Sequence, residues 1–213
     1  MKKAILPILI LALSAVRATP QGQINYNIRV VGAVVAHVYG PELTDPTIAK
    51  VGNTASETPS GTQTYTGALL AGSGWYALLF AAPGTGQSEA ALTLVPTSTT
   101  SFRTGATLGG TIGTSTQTIP QVSPGAPGTF QLRVWDNLGG TVTSWPQAES
   151  LWGSGVISAA KSPLFDVPSL GDDFGGPVDM LNFRSFNVYR TPEPSAFALA
   201  GLGAAALWLF RRR

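Results

Sequence analysis

The chain has no cysteine. That absence excludes a disulfide framework and any thiolate metal site, so the fold has to hold by packing alone. Histidine is nearly missing as well: His37 is the single one, which removes histidine clusters as metal ligands and leaves one base at most for a nucleophile triad. Charge is scarce, at 11% of residues, and it is unevenly placed. Six of the thirteen bases sit at the ends, as Lys2, Lys3, Arg17, Arg211, Arg212 and Arg213. From Thr19 to Pro194 seven bases face all eleven acids, a net charge of −4. No basic stripe remains to track phosphates, which argues against nucleic acid as a partner. No internal repeat, charge run or polar tract marks a second domain, and 213 residues suffice for one ordinary domain between two short terminal segments.

What is abundant is turn chemistry: 25 Gly and 16 Pro, with many Ser and Thr. Such a composition suits short strands joined by many turns. Ile24 to Val30 alternates throughout, with Ile24, Tyr26, Ile28 and Val30 on one face. Val34 to Tyr39 reads as a second strand stopped by Gly40-Pro41, and the Pro-rich stretch from there to Gly61 as an irregular loop. Further strands are expected at Thr62–Gly67, Trp75–Ala81, Ala91–Val95, Ser101–Arg103, Thr116–Ile119, Thr129–Trp135, Ser162–Val167 and Leu181–Tyr189. In Thr129–Trp135, Phe130, Leu132 and Val134 share one face and Gln131 and Arg133 the other. One short helix is expected near Ser144, with Pro146 early, ending by Gly153. The expectation is an all-β domain, an antiparallel β-sandwich over residues 19–190.

The ends read differently. Lys2 and Lys3 precede an apolar run from Ala4 to Val16 and small Ala18, the three parts of a secretory signal peptide over residues 1–18. An uncleaved anchor is the alternative, and thirteen apolar residues are short for one. At the other end Ser195 to Phe210 is uncharged and is followed at once by Arg211, Arg212 and Arg213. As a helix this run is about 24 Å long, a short transmembrane helix whose arginines stay cytoplasmic and retain it. The domain then lies across the membrane from those arginines. Pro192-Glu193-Pro194 stands immediately before the run; the two prolines keep the segment extended and without donors at two positions.

The ordered set of Pro192, Glu193 and Pro194, a short Ala/Gly/Leu-rich run and a terminal arginine cluster resembles the PEP-CTERM sorting signal of Gram-negative bacteria. It covers residues 191–213. The resemblance implies recognition by an exosortase, a membrane cysteine transpeptidase that cuts near the motif, after passage through the secretion translocon and signal peptidase. It further implies a precursor held in the inner membrane, delivery to the cell surface or extracellular matrix, and association with exopolysaccharide and biofilm. A simple anchor that is never processed is the alternative. The body, with Tyr39-Gly40-Pro41, Gly52-Asn53-Thr54 and Ser162-Pro163-Leu164-Phe165, is similar to bodies found in this tail-bearing group, a likeness that implies no activity.

Chemistry is thin between the ends. His37 lies within an apolar strand, where a solvent-facing or hydrogen-bonded role competes with a catalytic one. Ser158-Ala159-Ala160-Lys161 fits Ser-x-x-Lys, but the companion motifs of that enzyme class are missing. Asp166, Asp172, Asp173 and Asp179 cluster in a Gly-rich stretch without ordered calcium-ligand spacing, so a solvated loop is favoured over a weak calcium site. Of the tryptophans, Trp75 and Trp135 fall within strand patterns and are expected in the core, whereas Trp145 and Trp152, near loops, are the candidates for stacking on sugar rings. No cofactor and no catalytic residue is expected. The leading expectation is a non-enzymatic structural or adhesive surface protein, with a carbohydrate-binding module second and a secreted hydrolase third.

Overall fold

The computed structural model describes residues 21–192. The signal peptide 1–18, Glu193, Pro194, the apolar run 195–210 and Arg211 to Arg213 lie outside the described residues. Within them the strands are, in chain order, β1 (Gly22–Tyr26), β2 (Arg29–Val30), β3 (Val34–Val35), β4 (Val38–Tyr39), β5 (Gly72–Pro83), β6 (Thr93–Leu94), β7 (Thr100–Phe102), β8 (Ser115–Ile119), β9 (Gly128–Asp136), β10 (Ala159–Lys161), β11 (Phe165–Val167), β12 (Val178–Asp179) and β13 (Phe186–Asn187). A single α-helix, α1 (Trp145–Gly153), separates β9 from β10. Among the described residues the protein is thus all-β apart from α1 and one short 3-10 turn at Glu89–Ala91.

The long ladder of β5 against β9 organises the larger sheet, running from Trp75 opposite Asp136 to Pro83 opposite Gly128. β10 and β11 extend the sheet beyond β9, and β6 and β7 beyond β5, all antiparallel. A smaller sheet sets β1 between β8, antiparallel, and β12, parallel. Two short ladders, β2 with β3 and β4 with β13, complete the pairing, the latter again parallel. The pairing is thus mostly antiparallel, with two short parallel pairs.

Strand alternation explains the main core. Ile24 and Tyr26 from β1, Ala77, Leu79 and Ala81 from β5, and Phe130, Leu132 and Val134 from β9 meet in one apolar cluster with Ile119, Met180, Phe183 and Phe186. Each large side chain enclosed there contributes roughly 1.5–3 kcal/mol. The alternation from Ile24 to Val30 survives, but the strand is broken: Asn27 accepts from the Arg29 amide and donates back to the Arg29 carbonyl, each at 2.9 Å, and separates β1 from β2. Such a local side-chain turn competes with the ladder.

The second face of the larger sheet is covered as well, and Trp135 on it lies in the core as expected. Gln131 and Arg133 do not face solvent; both are buried. α1 lies over this face and forms a second cluster of Leu78, Trp135, Val142, Trp145, Ala148, Ile157 and Ala159. The helix starts at Trp145 with Pro146 in its first turn and ends at Gly153, as expected. Trp145 is accordingly packed away at 3% exposure, Trp152 is half-buried beside it, and Trp75 is half-buried instead of enclosed. The expected strand at 62–67 is absent: that segment is tied to the 40–61 loop, by the Gln63 amide to the Asn53 carbonyl, by Lys50 to the Thr64 carbonyl and by Thr66 to Glu42.

Candidate functional site

α1 does not cover the whole second face. Between its first turn and the strands β5, β6 and β9 remains a cleft of about 410 Å³, with Phe80, Leu94 and Trp145 as apolar lining and Arg133, Thr97 and Glu149 as polar lining. Its size falls within the range of small-molecule sites. Arg133 enters from the middle of β9, its guanidinium 3.7 Å above the centre of the Phe80 ring and 5.3 Å from that of Trp145. A guanidinium over aromatic faces is favourably placed, the more so when shielded from water.

A charge network borders the cleft. Lys161 on β10 reaches Glu89 at 2.6 Å and Glu149 at 2.7 Å. Burial alone would lower the Lys161 pKa, but the bonds to Glu149 and Glu89 outweigh it and hold the ammonium above its ordinary range. For Glu89, burial pushes upward and is overcome by hydrogen bonds from Lys161 and Gln131 and by the charges of Lys161 and Arg133, leaving the carboxyl below its ordinary value. Arg133 is drawn down by burial, with Glu89 and Glu149 pulling the other way.

A second polar network surrounds His37. Its Nδ1 lies 2.7 Å from Oε1 of Glu57, the Tyr39 hydroxyl donates to the same oxygen at 2.9 Å, and the Thr54 amide donates to Oε2 at 2.6 Å. Burial pushes Glu57 upward, but its hydrogen bonds, that from His37 foremost, leave it net below the ordinary value. Tyr39 stacks on Tyr65 with ring centres 4.0 Å apart, and burial followed by the Glu57 charge raises both phenols. His37 is thus a hydrogen-bonded histidine, paired with Glu57. Its partner Glu57 was not legible in advance, lying 20 positions away in a Pro-rich loop.

The remaining sequence candidates do not converge. Lys161 of Ser158-x-x-Lys161 is held by glutamates, and Ser158 is buried. Asp166 accepts from Thr129 at 2.6 Å and Asp179 from Asn25 at 2.9 Å; Asp172 binds the amides of Phe174 and Gly175, and Asp173 accepts from Gln23. Among the described residues no group of three acidic or histidine side chains is gathered as a metal site. Trp152 spends its indole N–H on the Tyr189 carbonyl at 2.9 Å.

The last described residues show how the domain ends. Tyr189 and Ala159 exchange backbone hydrogen bonds at 3.1 Å, the Arg190 amide donates to Pro46 at 2.8 Å, and the Thr191 hydroxyl donates to the Trp152 carbonyl. Pro192 then stands exposed. Residues 190–213 match the family model described as PEP-CTERM protein-sorting motif. The chain carries a PEP-CTERM sorting signal. The motif marks an exported precursor for which an exosortase is the processing partner. No curated protein and no solved structure matches the chain. Among the described residues no helix is long and apolar enough to cross a membrane; the run expected to do so, 195–210, lies outside them.

Proposed function

We propose that the protein is a non-enzymatic surface or matrix component: a signal peptide exports it, an exosortase releases it from the inner membrane, and its β-domain serves a structural or adhesive role in an exopolysaccharide-rich biofilm. The observation carrying this reading is the sorting motif matched over residues 190–213, whose Pro192 directly follows Thr191, the last hydrogen-bonded residue among those described. In this reading residues 19–190 form the mature domain, with the two sheets as the halves of a β-sandwich around their shared core. Such a domain needs neither metal nor disulfide to persist outside the cell.

The test separates membrane insertion from processing. Replacing Glu193 with alanine leaves the apolar run and arginines intact, so membrane-bound precursor should accumulate in a host that has an exosortase. Replacing Arg211, Arg212 and Arg213 with glutamate removes the positive flank and should impair insertion itself. Mass spectrometry that finds Trp208 and Arg213 on the mature surface protein would reduce the tail to a plain anchor. A carbohydrate-binding role is the second reading, and the cleft beside α1 is the observation that favours it.

A further inference from the structure

Among the described residues the cleft holds a guanidinium whose terminal nitrogens have no hydrogen-bond acceptor. Arg133 has a side chain only 9% exposed, yet among the described residues only its Nε has an acceptor, Gln131 Oε1 at 3.0 Å. Glu89 stands 3.8 Å from Nη2, too far for a hydrogen bond. Lys161 occupies both neighbouring glutamates at much shorter range, so neither turns to the guanidinium. The indole Nε1 of Trp145 also lacks a partner, but it is enclosed within the protein and does not open on the cleft. The terminal nitrogens of Arg133, held in a largely buried side chain yet still accessible in the cleft wall, are placed to meet an acceptor from outside.

We propose that this cleft binds an uncharged saccharide segment. The terminal nitrogens of Arg133 donate to sugar hydroxyl or ring oxygens, the half-exposed Glu149 accepts from a neighbouring hydroxyl, and Phe80 with Leu94 receives the apolar face of the ring. Thr97 and Thr143 add hydroxyls at the rim. Trp145 acts as a wall, not as a stacking platform, since it is only 3% exposed. An uncharged chain is favoured over a uronate because two carboxylates, Glu89 and Glu149, border the site and residues 19–194 are net negative. The assignment rests on the second reading above, and sorting by the exosortase is independent of it.

The test uses mature protein released by an exosortase-bearing host, applied to an array of neutral and acidic glycans, with calorimetry on the neutral oligosaccharides retained. Arg133→Lys, which loses the fork of donors, should weaken binding at least tenfold. Because Arg133 is buried and its replacement can disturb the fold, Glu149→Gln at the half-exposed rim is the companion variant; it should weaken binding about threefold or more with an unchanged melting temperature. Retention of no neutral glycan, preference for uronate-bearing chains, or undiminished binding by folded Glu149→Gln protein overturns the proposal. None of these results alters where the precursor is cut, which mass spectrometry reads separately.

Discussion

Tyr26 is fully enclosed, and its hydroxyl finds no partner. Burial raises its phenol well above the ordinary value, the mark of a group surrounded by apolar neighbours. An unsatisfied buried hydroxyl costs about 1–3 kcal/mol, so Tyr26→Phe should stabilise the protein by about 1 kcal/mol, read as a higher midpoint in urea unfolding. Glu57 and Glu42 present the opposite case. Burial raises each carboxyl, but hydrogen bonds outweigh it, from His37 and Thr54 for Glu57 and from Lys50 and Thr66 for Glu42. Both pKa values end below the 4.5 of a free glutamate. The folded-state value is depressed, so their contribution is fully present above about pH 4.5 and is lost as the pH falls through the folded values. Melting temperature should therefore drop on acidification below about pH 4.5, and Glu57→Gln should flatten that drop while lowering the plateau at neutral pH.

The 40–67 loop is held by backbone packing as much as by these side chains. Gly61 donates to the Thr54 carbonyl at 2.9 Å, Asn53 accepts from Gln63 at 3.0 Å, and the Asn53 side chain reaches the Pro59 carbonyl at 2.8 Å and the Ser185 amide at 2.9 Å. A Cβ on Gly61 would stand 2.1 Å from the Asn53 carbonyl oxygen, so Gly61→Ala should cost about 3 kcal/mol or more by forcing backbone apart, measured by chemical denaturation. Nothing in the local sequence announces this. Periodicity reports which side of a strand is apolar, and it located β1, β5, β8, β9 and α1 because their packing follows local alternation or capping. It cannot report a loop tied down by Asn53, Glu42 and Glu57 through partners far along the chain. The same blindness hid the cleft: Gln131 and Arg133 look solvent-facing in an alternating strand, and only the later helix α1 covers them. Trp145 looked exposed by proximity to turns, whereas its position at the start of α1 lays it on β9.

The whole molecule is a folded domain joined to its sorting signal with almost no slack. Hydrogen bonds from Tyr189, Arg190 and Thr191 bind the chain to β10, to Pro46 and to α1. From Pro192 to the start of the apolar run at Ser195 there are three residue steps, a reach of about 11 Å at full extension. A membrane protease that grips the motif must therefore either abut the folded domain or catch the strap after it has frayed. Releasing the five hydrogen bonds that these residues make, at about 1 kcal/mol each, leaves roughly one molecule in five thousand open at any moment. Where cleavage follows the open population, processing is slowed in proportion. Ten Gly/Ser residues inserted between Thr191 and Pro192 would add a span of about 17 Å without touching motif, apolar run or arginines. Pulse-chase labelling should then show faster conversion of precursor to mature protein, and Thr191→Ala should give a smaller increase in the same direction. An unchanged rate for the insertion would mean that the enzyme accommodates the domain surface directly, with the strap closed during cleavage.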